Sequence, residues 1–266
     1  MFDFLQRGLF FKLFPGGVIP SENAWLYYLA FFGFAIAVIV ISYLLGSVNT
    51  AIVVSSTIYH DDVRKHGSGN AGLTNMLRTY GKGAAGLTLL GDILKTAISI
   101  LIAGILWGFA YVGGISTGLG FCYVAGLFAV LGHIFPIYYK FKGGKGVLST
   151  ATMALILAPI PFAILLTVFI VIVAISKYVS LGSVTGAIFF PVALYSYMKL
   201  FFPDAALPLL AALSSIILAI LIVWCHRENL ERISNRTERK LSFKKKPEVE
   251  TASVDEEDAD EADEKD

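Results

Sequence analysis

A chain of 266 residues with 56% hydrophobic and 15% charged residues, and a mean hydropathy of +0.71, is excluded from the class of ordinary soluble globules and reads as an integral membrane protein. Its formal net charge of +1 hides an asymmetry, because 248–266 carries 11 of the 20 acids and one of the 21 basic residues. The remaining body is strongly basic, a balance that suits anionic ligands and anionic lipid surfaces.

In chain order, Met1 to Phe14 alternates Phe and Leu with Gln6, Arg7 and Lys12, so residues 1–22 are expected to form an amphipathic interfacial segment broken at Pro15-Gly16-Gly17. A first span is expected from Ala24 to about Leu45, continuing as helix toward Thr57. The following loop, with Arg64, Lys65, Arg78, Lys82 and two histidines, reads as cytoplasmic. A second span is expected over Ala84 to Tyr111 and a third over Leu119 to Pro136, before a basic stretch at Tyr138 to Gly146. An odd number of spans cannot join two inside loops, so Val147 to Ile175 is split at Pro159 and Pro161 into a short helix and a full span. Runs over Ser180 to Leu200 and Leu207 to Cys225 complete an all-α seven-helix bundle with a short fourth helix, N-terminus outside and C-terminus cytoplasmic. Residues 23–246 then form the membrane domain, and 247–266 an acidic, disordered cytoplasmic tail. Cys122 and Cys225 lie in apolar runs, and neither a disulfide framework nor a metal site is suggested.

Three polar segments carry the chemistry. In Gly67-Ser68-Gly69-Asn70-Ala71-Gly72-Leu73-Thr74-Asn75-Met76-Leu77-Arg78, glycines permit tight backbone that turns amides toward one anion. Ser68 and Thr74 add hydroxyls, Asn70 and Asn75 add amides, and Arg78 adds a planar fork suited to phosphate. The literal G-x-G-x-x-G here is not a dinucleotide fingerprint, since a charged stretch and membrane helices replace the required strand. The second segment, Gly132-His133 through Gly143-Gly144-Lys145-Gly146, again sets glycines and a lysine before a helix start, although His133 can equally be a satisfied structural histidine. The third, His226 to Arg232 with Glu238 beyond it, places His226 and Asn229 three apart on one helical face. Within the second span, Asp92 and Lys95 are also three apart and are expected to form an ion pair supporting the Gly67 to Arg78 loop. Gly114-Ile115-Ser116-Thr117-Gly118 matches G-x-S-x-G by letter, but in an outside loop rather than a strand-to-helix elbow.

Together these segments resemble the bacterial acyl-phosphate:glycerol-3-phosphate acyltransferases, the PlsY family, over nearly all of residues 24 to 241. The resemblance implies acyl transfer from acyl phosphate to the 1-hydroxyl of glycerol 3-phosphate, giving lysophosphatidic acid, at a bacterial inner membrane with the site facing the cytoplasm. It implies catalytic roles for Ser68, Arg78, Lys145, His226 and Asn229. Substrate and phosphate binding are expected at Gly67, Gly69, Asn70, Thr74, Asn75, Gly143, Gly144 and Arg64, with Asp92, Lys95, Glu228 and Glu238 in support. No cofactor and no nucleic acid is expected; the partners are glycerol 3-phosphate, acyl phosphate from a separate enzyme that forms it, and membrane lipid. The sequence departs from the family pattern near Asn49, where a family proline after Gly-Ser is replaced, and at Arg236, where a glycine before Thr-Glu is replaced. A transporter of phosphorylated metabolites is the rival reading, but the polar segments crowd one side and no inverted repeat is apparent. A membrane scaffold would leave Gly143-Gly144-Lys145 without a task.

Overall fold

The computed structural model describes residues 8–10, 12–14, 24–108, 117–201 and 209–241. Among the described residues from Ala24 to Ser234 there are ten α-helices: α1 Ala24–Ser47, α2 Thr50–Ile58, α3 Leu73–Thr79, α4 Lys82–Trp107, α5 Thr117–Ile134, α6 Val147–Leu157, α7 Pro159–Ser176, α8 Val179–Phe201, α9 Leu209–Cys225 and α10 Arg227–Ser234. Among the described residues there is no strand. Helices satisfy their own backbone groups, which is why apolar segments of this length can enter lipid at all.

Helix α5 is the axis of the bundle and touches α1, α4, α6 and α9. In the span that α5 forms, 72% of the most apolar window is buried, against 6% for α7 at the lipid-facing edge. The tightest crossing is α1 against α5. A Cβ on Gly46 would collide with the Ala129 carbonyl, and one on Gly132 with the Tyr43 carbonyl and the Ser47 amide. Apolar area gives helices no reason to associate within lipid, so close backbone approach through small residues supplies the packing energy. At the far end, Trp107 stacks on Phe121 with centroids 4.0 Å apart and on Phe10 at 4.5 Å. Phe10 and Phe14, from the segment read as interfacial, are buried there.

Helix breaks fall where the local chemistry demands them. Asn49 caps α2, its side chain accepting from the Ile52 amide at 3.2 Å, and so replaces the family proline with a capping residue that also starts a helix. Between α6 and α7, Ala158 leaves the helical region (φ −146°, ψ 65°) because Pro159 disfavours helical backbone before it and then occupies the first position of α7. Helix α6 has 11 residues, a rise of about 16 Å, roughly half a bilayer core.

Among the described residues, five helical segments are long and apolar enough to cross a membrane, and α9 with α10 is a further candidate bent by 51°. The chain is thus a multi-pass membrane protein. Residues 247–266 and Ser116, two subjects of the sequence reading, lie outside the described residues.

The α1–α5 crossing generates a direct test. Gly132→Leu should lower the thermal midpoint of the detergent-solubilised protein by several degrees or prevent its recovery, while Gly33→Leu, where nothing lies within 4 Å of a Cβ, should leave it unchanged. Equal midpoints for the two variants would remove the crossing from the account of stability.

Candidate active site

One cavity of about 750 Å³ opens between α3, α6, α7, α8 and α10, and all three polar segments reach it. Ser68, Arg78, Lys145, His226 and Asn229 line it, together with Gly67, Asn70, Thr74, Asn75, Asp92 and Glu238. The lining also includes an apolar set, Phe162, Leu165, Leu166 and Phe169 of α7 and Ala187 and Phe190 of α8.

Asn229 joins the second segment to the third. Its Oδ1 accepts a hydrogen bond from Lys145 Nζ. Its Nδ2 donates to Glu238 Oε1 at 2.6 Å and to Ser180 Oγ at 3.0 Å. Glu238 also accepts from Ser180 Oγ at 2.8 Å and from Arg232 Nε at 2.8 Å. Burial alone would raise the Glu238 carboxyl, but the donors Asn229, Arg232 and Ser180 outweigh it and hold the group below the usual carboxylate range. Burial, with Arg232 beside it, draws Lys145 below the ordinary lysine value. Ser180 and Arg232 were not singled out in the sequence. A serine at a helix start and an arginine beyond a span look like ordinary caps and anchors, so only their shared partner Glu238 reveals them.

His226 is buried at the α9–α10 bend, with Nδ1 2.8 Å from the Ile222 carbonyl oxygen. A carbonyl oxygen only accepts, so Nδ1 carries the proton and Nε2 keeps a lone pair. Burial pushes His226 down to about 4, with Lys145 acting in the same direction against the Ile222 hydrogen bond. At neutral pH the ring is uncharged.

The glycine loops work differently from the expected amide nest. Gly67 and Gly69 do adopt left-handed backbone, with φ of 57° and 71°. However, the Ser68 amide donates to Asn75 Oδ1 at 2.9 Å and the Gly69 amide to the His66 carbonyl at 2.8 Å. Asn75 also spends both amide protons inside the loop, on Val63 O at 3.1 Å and His66 O at 3.0 Å, so it shapes the loop and has no proton left for phosphate. Gly143 and Gly144 donate to the carbonyls of Ile134 at 3.1 Å and His133 at 3.0 Å, and neither lines the cavity. Their want of a Cβ lets the loop lie against the end of α5, since a side chain at Gly143 would strike the His133 carbonyl and one at Gly144 the His133 ring. Gly69 is likewise absent from the cavity wall.

Arg64 is also placed otherwise than expected. Its guanidinium grips Asp62 through Nε at 2.9 Å and Nη2 at 2.7 Å, and Nη1 reaches the carbonyls of Tyr139 and Lys142 at 3.4 and 3.3 Å. Those contacts tie the first loop to the second, outside the cavity. Glu228 is exposed and pairs with Arg227 and Arg232 at 3.6 and 3.9 Å. Asp92 and Lys95 pair at 2.8 Å, but within a cluster that includes His133 and the Val48 carbonyl rather than by contact with the 67–78 loop. That loop is reached from nearby by Asn49 Nδ2, 3.4 Å from the Ala71 carbonyl.

Known proteins resemble this chain over most of its length. Residues 36–236 match the family model described as glycerol-3-phosphate acyltransferase. Curated relatives of that name include one from Clostridioides difficile, 40% identical over 79% of this chain and 97% of its own length. Another, from Coxiella burnetii, is 41% identical over 77% and 97%. Two crystal structures of PlsY, an integral membrane glycerol 3-phosphate acyltransferase, superpose at 30% identity. The glycerol 3-phosphate form has a TM-score of 0.67 over 78% of this chain and 96% of that one. The lysophosphatidic acid form has a TM-score of 0.64 over 78% and 95%. With the family model spanning most of the chain and relatives covering nearly their whole length, this chain belongs to the glycerol-3-phosphate acyltransferase family.

Proposed function

We propose that this chain transfers a fatty acyl group from acyl phosphate to the 1-hydroxyl of glycerol 3-phosphate, releasing phosphate and forming lysophosphatidic acid for membrane phospholipid synthesis. The observation that carries the reading is a single cavity lined both by Arg78 and Lys145 and by Phe162, Phe169 and Phe190. Two phosphorylated reactants need the cations, and one long acyl chain needs the apolar wall beside lipid. The donor is made by a separate acyl-phosphate-forming enzyme. The fold is a seven-helix arrangement that counts the short α6, in a bacterial inner membrane, with the N-terminus outside and the site and C-terminus on the cytoplasmic side. The basic residues around the site support that orientation.

Acyl phosphate is already activated, so the transfer is direct. The 1-hydroxyl oxygen attacks the acyl carbonyl carbon, the bond from that carbon to the phosphate oxygen breaks, and phosphate leaves with its electron pair. Holding the two reactants in line replaces a bimolecular encounter. Arg78, Lys145, Ser68 and the first turn of α6 at Gly146, Val147 and Leu148 stabilise the departing phosphate and the developing oxyanion. Asn229 aims Lys145. The attacking hydroxyl loses its proton to a substrate phosphate oxygen rather than to His226. A phosphate dianion, with a pKa of about 6, is the stronger base. His226, held at about 4, accepts a hydrogen bond through Nε2 and orients the hydroxyl.

Purified protein supplied with glycerol 3-phosphate and, in turn, acyl phosphate, acyl-CoA or acyl carrier protein should form product from acyl phosphate alone. Equal rates from a thioester donor would overturn the donor assignment. Arg78→Ala and Lys145→Ala should each lower kcat/KM by about 100-fold to 1000-fold without changing the elution of the folded protein. Undiminished rates in both would remove the cationic wall from the mechanism. In pH profiles, the acid limb of kcat/KM should lie near the acceptor's own phosphate pKa of about 6 and move upward with a phosphonate analogue that holds its last proton more tightly. A limb near 4 that ignores the acceptor would return the role of base to His226.

A further inference from the structure

Between α4 and α5 lies a charged cluster that the reaction as described leaves unused. Asp92, Lys95 and His133 are 1%, 6% and 4% exposed. Lys95 Nζ is 2.8 Å from Asp92 Oδ1, 3.1 Å from the Val48 carbonyl oxygen and 2.9 Å from His133 Nδ1. An ammonium group has three protons and no lone pair, so these contacts use all it has. His133 Nδ1 therefore accepts from Lys95 at 2.9 Å, a shorter contact than its 3.5 Å approach to Asp92 Oδ1, and the ring is neutral with its proton on Nε2. Asp92 Oδ1 accepts a hydrogen bond from the Lys95 ammonium and a further one from Thr50 Oγ1 at 3.3 Å. The hydrogen bonds among the described residues thus use one oxygen of Asp92 and one ring nitrogen of His133. The other atoms are spare, and both residues line the cavity. Gly144 matters here because any side chain at that position would cover His133 Nε2.

We infer that His133 Nε2–H and Asp92 Oδ2 form a hydroxyl-binding pair that holds the non-reacting 2-hydroxyl of glycerol 3-phosphate. The inference rests on the function proposed above and adds a specificity element to it. One neutral donor beside one carboxylate acceptor suits an alcohol, which accepts from the imidazole and donates to the carboxylate. It does not suit phosphate, because the carboxylate would face a like charge while its own counterion, Lys95, is already saturated. Nor does it suit the reacting 1-hydroxyl, since a carboxylate shared with an ammonium is a poor base. With the acceptor's phosphate on the cations and its 2-hydroxyl on this pair, the 1-hydroxyl has one remaining direction, toward the acyl carbonyl.

The test compares kcat/KM for glycerol 3-phosphate and 3-hydroxypropyl phosphate, which lacks only the 2-hydroxyl. Because the comparison is a ratio, it does not depend on how much of a preparation is folded. Wild type should favour glycerol 3-phosphate by about tenfold or more. His133→Asn places an amide oxygen where Nδ1 stood, keeps the Lys95 contact and removes the cavity donor, so the ratio should fall toward one. His133→Gln returns an amide donor near the Nε2 position and should keep most of the preference. Lack of preference in wild type, or a ratio unaltered in His133→Asn, would overturn the hydroxyl pair while leaving the proposed acyl transfer intact. A folded His133→Asn that is inactive toward both acceptors overturns it as well, since the loss then does not depend on the 2-hydroxyl. Failure of wild type to acylate either acceptor would instead defeat the proposed function.

Discussion

The structure turns on one amide. Asn229 accepts from Lys145 on its oxygen and donates to Glu238 and Ser180 from its nitrogen, so a cation and an anion are held apart by a neutral group that satisfies both. Direct contact between Lys145 and Glu238 would form an ion pair and cancel the charge that an incoming anion needs. With the amide interposed, Glu238 is matched by Arg232 at 2.8 Å, and the positive character of Lys145 is turned toward the cavity. The same device ties three distant stretches into one wall, because Lys145 precedes α6, Ser180 begins α8 and Asn229 lies on α10. The hydrogen bond from the Leu241 amide to the Lys177 carbonyl at 2.8 Å fastens the far end of that wall to the turn before α8.

A membrane protein that gathers charge must decide where to bury it. Isolated charges in lipid are costly, and losing one member of a buried pair leaves the other uncompensated. Asp92 and Lys95 meet that constraint by lying one helical turn apart on α4 and sharing their remaining contacts with Thr50, Val48 and His133. The cluster falls at the seam between α1, α2, α4 and α5. Through the Val48 carbonyl it holds the same break that the Asn49 cap holds from the other side. Small residues close the rest of the seam, with Gly91 packed against Thr50 and Gly132 against Tyr43 and Ser47.

Much of this was legible in the sequence because the governing rules are local. Spans follow from runs of apolar residues, and the observed Lys82–Trp107 and Val179–Phe201 fall within a few residues of the expected ranges. The α6–α7 break follows from the chemistry of Pro159, and the three polar segments that line the cavity stand out as glycine-rich or charged interruptions between apolar runs. What escaped is pairing across the chain. Arg64 looks like a phosphate ligand until Asp62 and the carbonyls of Tyr139 and Lys142 are seen to occupy it. Gly143 and Gly144 look like donors until their amides are found on α5 carbonyls. Composition does not separate the two tasks, since a glycine needed for close approach and a glycine needed for an exposed amide are the same letter.

The departures from the family pattern show how such loops are held when a side chain stands in place of glycine. Arg236, where the pattern has glycine, sits at φ 57°, a left-handed conformation that costs a side-chain-bearing residue about 1 kcal/mol or more. The fold tolerates it because the flanking contacts over-determine the turn. Arg236 N donates to the Ile233 carbonyl at 3.1 Å, and the Thr237 and Glu238 amides both donate to the Arg232 carbonyl, at 2.8 and 3.1 Å. Glu238 is thereby presented to Asn229 and Arg232 from a turn whose backbone no longer depends on glycine. The conformation is therefore fixed by what Glu238 must reach, and the residue at 236 is left to accommodate it.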